Sequence, residues 1–137
     1  MNYVDTFIAV ADDCRLKEGI IPPNRTARKS IALIQYELLA KNPYRYTQED
    51  IQFETFIRHK DAPAGEARRS ESALREKFFA KPQACLRSSP LPKKYGWGLH
   101  FDERGRVALY PIESADYRRL RGAALKVLKA LRSSRAS

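Results

Sequence analysis

Cysteine is scarce in this sequence: Cys14 and Cys85 are the two thiols in 137 residues. Two cannot build a disulfide framework, and neither lies in a Cys-x-x-Cys or Cys/His cluster, so no structural metal is expected. Each reads as a small buried hydrophobe in a reducing compartment, with a reactive Cys85 as the alternative. Long apolar runs are missing as well. The five residues Phe7 to Ala11 fall far below the roughly 18 that span a bilayer, which argues against a membrane partner. Asp5 stands where a secretory leader would carry Lys or Arg, so a cytoplasmic location is expected. The patterns GxGxxG, GxxxxGK[ST], HExxH and GxSxG do not occur, which removes the common nucleotide, zinc-protease and hydrolase readings. No cofactor is expected, and enzyme status stays open.

What is present is a basic chain with ordinary globular composition: net charge +10, 43% hydrophobic and 31% charged residues. Its length suits one domain, residues 1–137, with a real core and a few C-terminal residues outside it. The charge is unevenly spread. From Ser114 onward seven basic residues face Asp116 alone, leaving +6 of the +10 in the last 24 residues. Arg118, Lys126 and Lys129 form one stripe if that segment is helical, and such a stripe could meet nucleic-acid phosphates.

Tyr3 to Ala11 is rich in β-formers and reads as a strand buried on both faces at its centre. Gly19, Pro22 and Pro23 mark a loop crossing the surface. Asn24 or Thr26 can cap a helix with Ala27, Ile31, Ile34, Leu38 and Leu39 inward, stopped at Lys41-Asn42-Pro43. Thr47 and Asp50 resemble a capping pair for a single turn. The alternation Ile51, Phe53, Thr55, Ile57 then predicts a second strand. Lys60 to Arg69 has the composition of a mobile loop, and Ser70 or Ser72 can cap a short helix, Leu74 to Lys81, ended by Pro82. Trp97 to Phe101 and Arg106 to Tyr110 form a hairpin closed by Asp102-Glu103-Arg104-Gly105, with Gly105 at positive φ. Last, Tyr117, Leu120, Ala124, Val127 and Leu131 step by 3 and 4, predicting a long C-terminal helix. The order β-α-β-α-β-β-α describes an α+β two-layer sandwich, a mainly antiparallel four-stranded sheet with helices on one face.

The segments YVDTFIAVADDC, Pro22-Pro23, IALIQYELLAKNPYRYTQEDIQFETF and LRSSPLPKKYGWGLHFDERGRVALYPIES resemble a family of small bacterial proteins catalogued as a domain of unknown function. The resemblance spans nearly the whole chain and implies no activity. GLHFDERGRVALYP is also similar to the hairpin of small α+β proteins of the YjbR type, whose double-wing sheet would imply DNA binding.

Candidate chemistry concentrates between Arg87 and His100. Arg87, Ser88, Ser89 and Lys93, with Lys94, could hold a phosphate or carboxylate if loop amides converge on it. Tyr95 and Trp97, flanked by Gly96 and Gly98, could make a stacking platform. His100, like His59, could act as a base oriented by Asp102 or Glu54, and Cys85 would pair with His100 if they met. Each feature also has a plain structural reading: serines satisfying turn amides, a packed Trp97, solvated cations. The function expected is a binding or interaction domain for an anionic small molecule at the 87–100 loop and hairpin. The alternative is nucleic-acid backbone binding through the C-terminal segment, and the third reading is an enzyme of unknown class.

Overall fold

The computed structural model describes residues 1–60, 71–123 and 126–133. Four strands form one sheet: β1 (Thr6–Ala9), β2 (Trp97–Phe101), β3 (Val107–Pro111) and β4 (Lys126–Lys129), in the order β3-β2-β1-β4. The β1–β2 and β2–β3 pairs are antiparallel, while β4 runs parallel to β1. Among the described residues five helices accompany it: α1 (Ile31–Lys41), α2 (Gln48–His59), α3 (Glu71–Phe79), α4 (Pro90–Lys94) and α5 (Ala115–Arg121), with a 3-10 turn at Leu86–Ser88. The α+β class and the mainly antiparallel sheet with helices packed on it therefore stand.

The element order differs from the expected one at three places, the smallest being the short helix α4, which stands where the expected order has no element because Ser89 caps it and Pro90 opens it. Residues 51–57 are the middle of helix α2 rather than a strand. Thr47 accepts from the Asp50 N–H while the Asp50 carboxylate accepts from the Thr47 N–H, a full capping box that nucleates three turns rather than one. Ile51, Phe53, Glu54, Thr55 and Ile57 are all buried, so the helix is covered on most sides and its apolar positions mimic a two-residue alternation.

The second departure is the C-terminal segment. Helix α5 ends at Arg121 with Gly122 as its cap, and the chain then returns as strand β4 beside β1. Tyr117 and Leu120 are buried at 3% exposure, whereas Val127 and Leu131 are 37% and 43% exposed. The 3-4 spacing is thus real for one step only; Ala124 lies outside the described residues. Lys126 and Lys129 are exposed on an edge strand, where lysines discourage pairing with another chain. Leu120→Ala should cost about 2–4 kcal/mol, against less than about 0.5 kcal/mol for Leu131→Ala, in urea melts. Equal losses would restore the single-helix reading.

The remaining expectations fare better. Strand β1 is buried at all four residues because it lies between β2 and β4 and is covered on both faces. Helix α1 is capped by Ser30 rather than Asn24 or Thr26, and Asn42 closes it by donating its side-chain N–H to the Leu38 carbonyl. Helix α3 begins three residues earlier than expected. Beyond Lys60 the expected loop, with the Ser70 cap, falls outside the described residues, as do residues 134–137. The hairpin turn holds: Gly105 has φ +77°, and the Asp102 carboxylate accepts from the Arg104 and Arg106 N–H groups.

Helices cover both faces of the sheet rather than the one face expected of a two-layer sandwich, because Tyr117 and Leu120 of α5 pack on the face opposite α1 and α2. Ile8, Leu99, Phe101 and Val107 pack with Ile34, Leu38, Ile51 and Leu91 on one side. Phe7, Ala9 and Val10 pack with Tyr117 and Leu120 on the other. The free edge of β3 is closed by the chain entering α2, where the Tyr44 N–H donates to the Val107 carbonyl and the Val107 N–H to the Tyr46 carbonyl.

Candidate ligand-binding site

The segment 83–90 leaves α3, makes its 3-10 turn and enters α4, forming one wall of a cleft of about 450 Å³. Helices α1 and α2 supply the other wall through Ile31, Gln35, Gln52, Thr55, Phe56 and His59, and Phe78 of α3 closes one end. Gln48, 1% exposed, pins the first wall: its carbonyl oxygen accepts from the Leu86 N–H at 2.7 Å and its amide donates to the Met1 carbonyl at 2.8 Å. Phe56 and Phe78 stack at 4.6 Å between centroids, and the Lys60 ammonium lies 4.5 Å from the Phe56 ring centre. The lining is mainly apolar, with a few polar groups aimed inward, which is how small-molecule sites are built.

The expected site residues are dispersed rather than gathered. Ser88 and Ser89 line this cleft. Arg87 instead donates from Nε to the Lys129 carbonyl at 2.8 Å, tying the 3-10 turn to β4. Lys93 sits half-buried in α4, and Tyr95 borders a separate recess with Leu16, Ile20 and Lys94. Trp97 is packed: its ring meets Tyr36 at 5.3 Å and its N–H donates to the Ile20 carbonyl at 2.9 Å. Gly98 leaves no open aromatic face, because Phe7 and Tyr117 occupy the space a side chain would take.

His100 lies on the α5 side of the sheet, paired with Phe7, and so does not meet Cys85 in the cleft. Its Nδ1 is 2.8 Å from the Tyr44 hydroxyl, which is 2.7 Å from that of Tyr110. Tyr44 reaches there from a backbone at φ +57°, an uncommon state for a bulky residue. Burial lowers the His100 pKa from its ordinary value; Asp102 opposes this and Arg119 adds to it. Asp102 acts through space, since its carboxylate is engaged by the hairpin turn. A depressed histidine pKa means the unfolded chain binds the proton first. The stability that His100 contributes is therefore complete above the unfolded value near 6.5 and is lost as pH falls through the folded one. His100→Gln should remove that part of the fall in melting temperature between pH 7.5 and 5; an unchanged profile would contradict it.

The other proposed base, His59, does share the cleft with Cys85. Glu54 accepts from Arg58 at 3.3 Å. Burial first, and Cys85 second, raise the pKa of the neighbouring Tyr3 phenol, with Arg87 opposing, so Tyr3 stands as a neutral hydroxyl beside the thiol. Arg118 is exposed on α5, whereas Lys126 and Lys129 lie on β4, and Lys129 pairs with Asp12 at 2.9 Å. The helical stripe of these three cations does not exist, because Gly122 ends the helix between them. Among the described residues no cluster of three or more His, Cys, Asp or Glu could hold a metal, and no helix is long and apolar enough to cross a membrane.

A family model described as a family of unknown function, DUF6157, matches residues 1–136. The chain belongs to that family. No curated protein and no solved structure matches it. The cleft residue that sequence reasoning missed is Gln35. It sits beside Ile34 and one turn before Leu39 on the buried face of α1, so a polar residue among apolar ones was the available signal.

Proposed function

We propose that this DUF6157 member is a cytoplasmic binding domain for an anionic small molecule, held in the cleft between α1, α2 and the segment 83–90. The carrying observation is the mismatch between the cleft's walls and its polar inventory. Ile31, Phe56, Phe78, Ala84, Leu86 and Pro90 supply apolar cover, yet the Ser88 hydroxyl, the His59 ring and the Lys60 ammonium have no hydrogen-bond or ion-pair partner among the described residues. Such an arrangement suits a ligand with an apolar body and an acceptor-rich, negatively charged end. This keeps Ser88 and Ser89 of the expected site and exchanges Arg87, Lys93, Tyr95, Trp97 and His100 for groups on α1, α2 and α3.

Thermal-shift screening against anionic metabolites tests the reading. Stabilisation by some of them is expected, reduced in Lys60→Gln and unchanged in His100→Gln. Broad binding to DNA or RNA, falling steeply with salt and sensitive to Lys126 and Lys129, would instead favour phosphate-backbone contact.

A further inference from the structure

Resting on the ligand-binding reading of the cleft, we infer that its anionic group is a carboxylate, held by the Gln35 side-chain amide and the Ser88 hydroxyl, on a flat apolar body lying along Ile31, Phe56 and Phe78. Gln35 is 6% exposed and Ser89 5%, and the Ser89 hydroxyl donates to Gln35 Oε1 at 2.6 Å. The same Ser89 oxygen accepts the Leu91 N–H at 3.2 Å, so its proton is left to donate. The Gln35 amide thus stands with its carbonyl toward Ser89 and its NH2 away from it. This NH2 has no acceptor among the described residues, is not sealed from solvent, and belongs to a side chain that lines the cleft. A donor that only solvent can reach inside an apolar cleft can exchange that water for a ligand acceptor.

Phosphate fits the same place poorly. Binding it calls for converging backbone N–H groups, and four of those around the two serines are already spent. The Ser88 N–H goes to the Cys85 carbonyl, Ser89 N–H to Leu86, Leu86 N–H to Gln48, and Lys93 N–H to Ser89. Helix α4 also opens with Pro90, which has no N–H to offer. What remains is one amide NH2, one hydroxyl and the cationic rim of Lys60, with His59 beside it. That set matches the two oxygens and single charge of a carboxylate, and a volume of about 450 Å³ suits a body of one or two rings.

Calorimetric titration of the full chain with phenylacetate, indole-3-acetate, phenyl phosphate and phenylacetamide tests this. Carboxylates should bind about tenfold or more tightly than the amide and the phosphate, and Gln35→Glu, which keeps the Ser89 bond but repels an anion, should abolish the preference. Ser88→Ala should weaken carboxylates selectively and serves alone if Gln35→Glu melts much lower. Phosphate binding as tightly as carboxylate, or a preference that survives both variants, would overturn the carboxylate assignment and leave the cleft reading standing. Failure of all four probes to bind would overturn both.

Discussion

Gly98→Val is expected to destabilise the protein by about 3 kcal/mol, the upper range for forcing extra methyl groups into a close-packed interior. A Cβ at this position would lie 2.5 Å from the Phe7 ring and 2.7 Å from the Tyr117 ring. Neither ring has room to withdraw. Phe7 is fully buried on the central strand, and the Tyr117 hydroxyl accepts the Val10 N–H at 2.9 Å. Glycine here lets α5 approach the sheet, and the substitution should push α5 away rather than disturb the cleft on the other face. Urea denaturation checks the size, and a loss below about 1 kcal/mol would mean that α5 is not held by this contact.

Gln48→Leu is the second large effect, at roughly 2–3 kcal/mol. Leucine conserves most of the volume, so the loss comes from stranding the buried Leu86 N–H and the Met1 carbonyl, about 1–3 kcal/mol for a buried unpaired group. It has a functional consequence that Gly98→Val lacks. Leu86 begins the 3-10 turn that carries Ser88 and Ser89 into the cleft, so ligand affinity should fall together with stability. Paired chemical melts and binding titrations separate the two variants. Unchanged affinity in folded Gln48→Leu would show that the wall is held by other contacts.

The hairpin and α1 were legible because their signals are local: Asp102 to Gly105 carry their own turn chemistry, and Ile31, Ile34 and Leu38 repeat with the helical period. Helix α2 was misread because burial on several sides erases the contrast between faces, although Thr47 and Asp50 announced its start. Strand β4 was misread because Tyr117 and Leu120 begin a helical stripe that Val127 and Leu131 extend by coincidence, although Gly122, which ends α5, interrupts that stripe. The site was half legible. Ser88 and Ser89 drew attention as hydroxyls near cations, but Gln35, which Ser89 bonds, lies 54 residues earlier, and Gln48, which holds the Leu86 N–H of the same turn, lies 38 residues before Leu86, separations that only tertiary packing closes. Arg87, Trp97 and His100 are chemically conspicuous in sequence, and each is occupied by a structural contact in the fold.

The most direct measurement is the response of the Gln35 side-chain amide to a carboxylate ligand. In nitrogen-15-labelled protein titrated with indole-3-acetate, the Gln35 NH2 pair, identified by its loss in Gln35→Glu, should shift together with the backbone amides of Ala84 to Ser89. Shifts confined to β4, α5 or the surroundings of His100, or none at saturating ligand, would contradict the account.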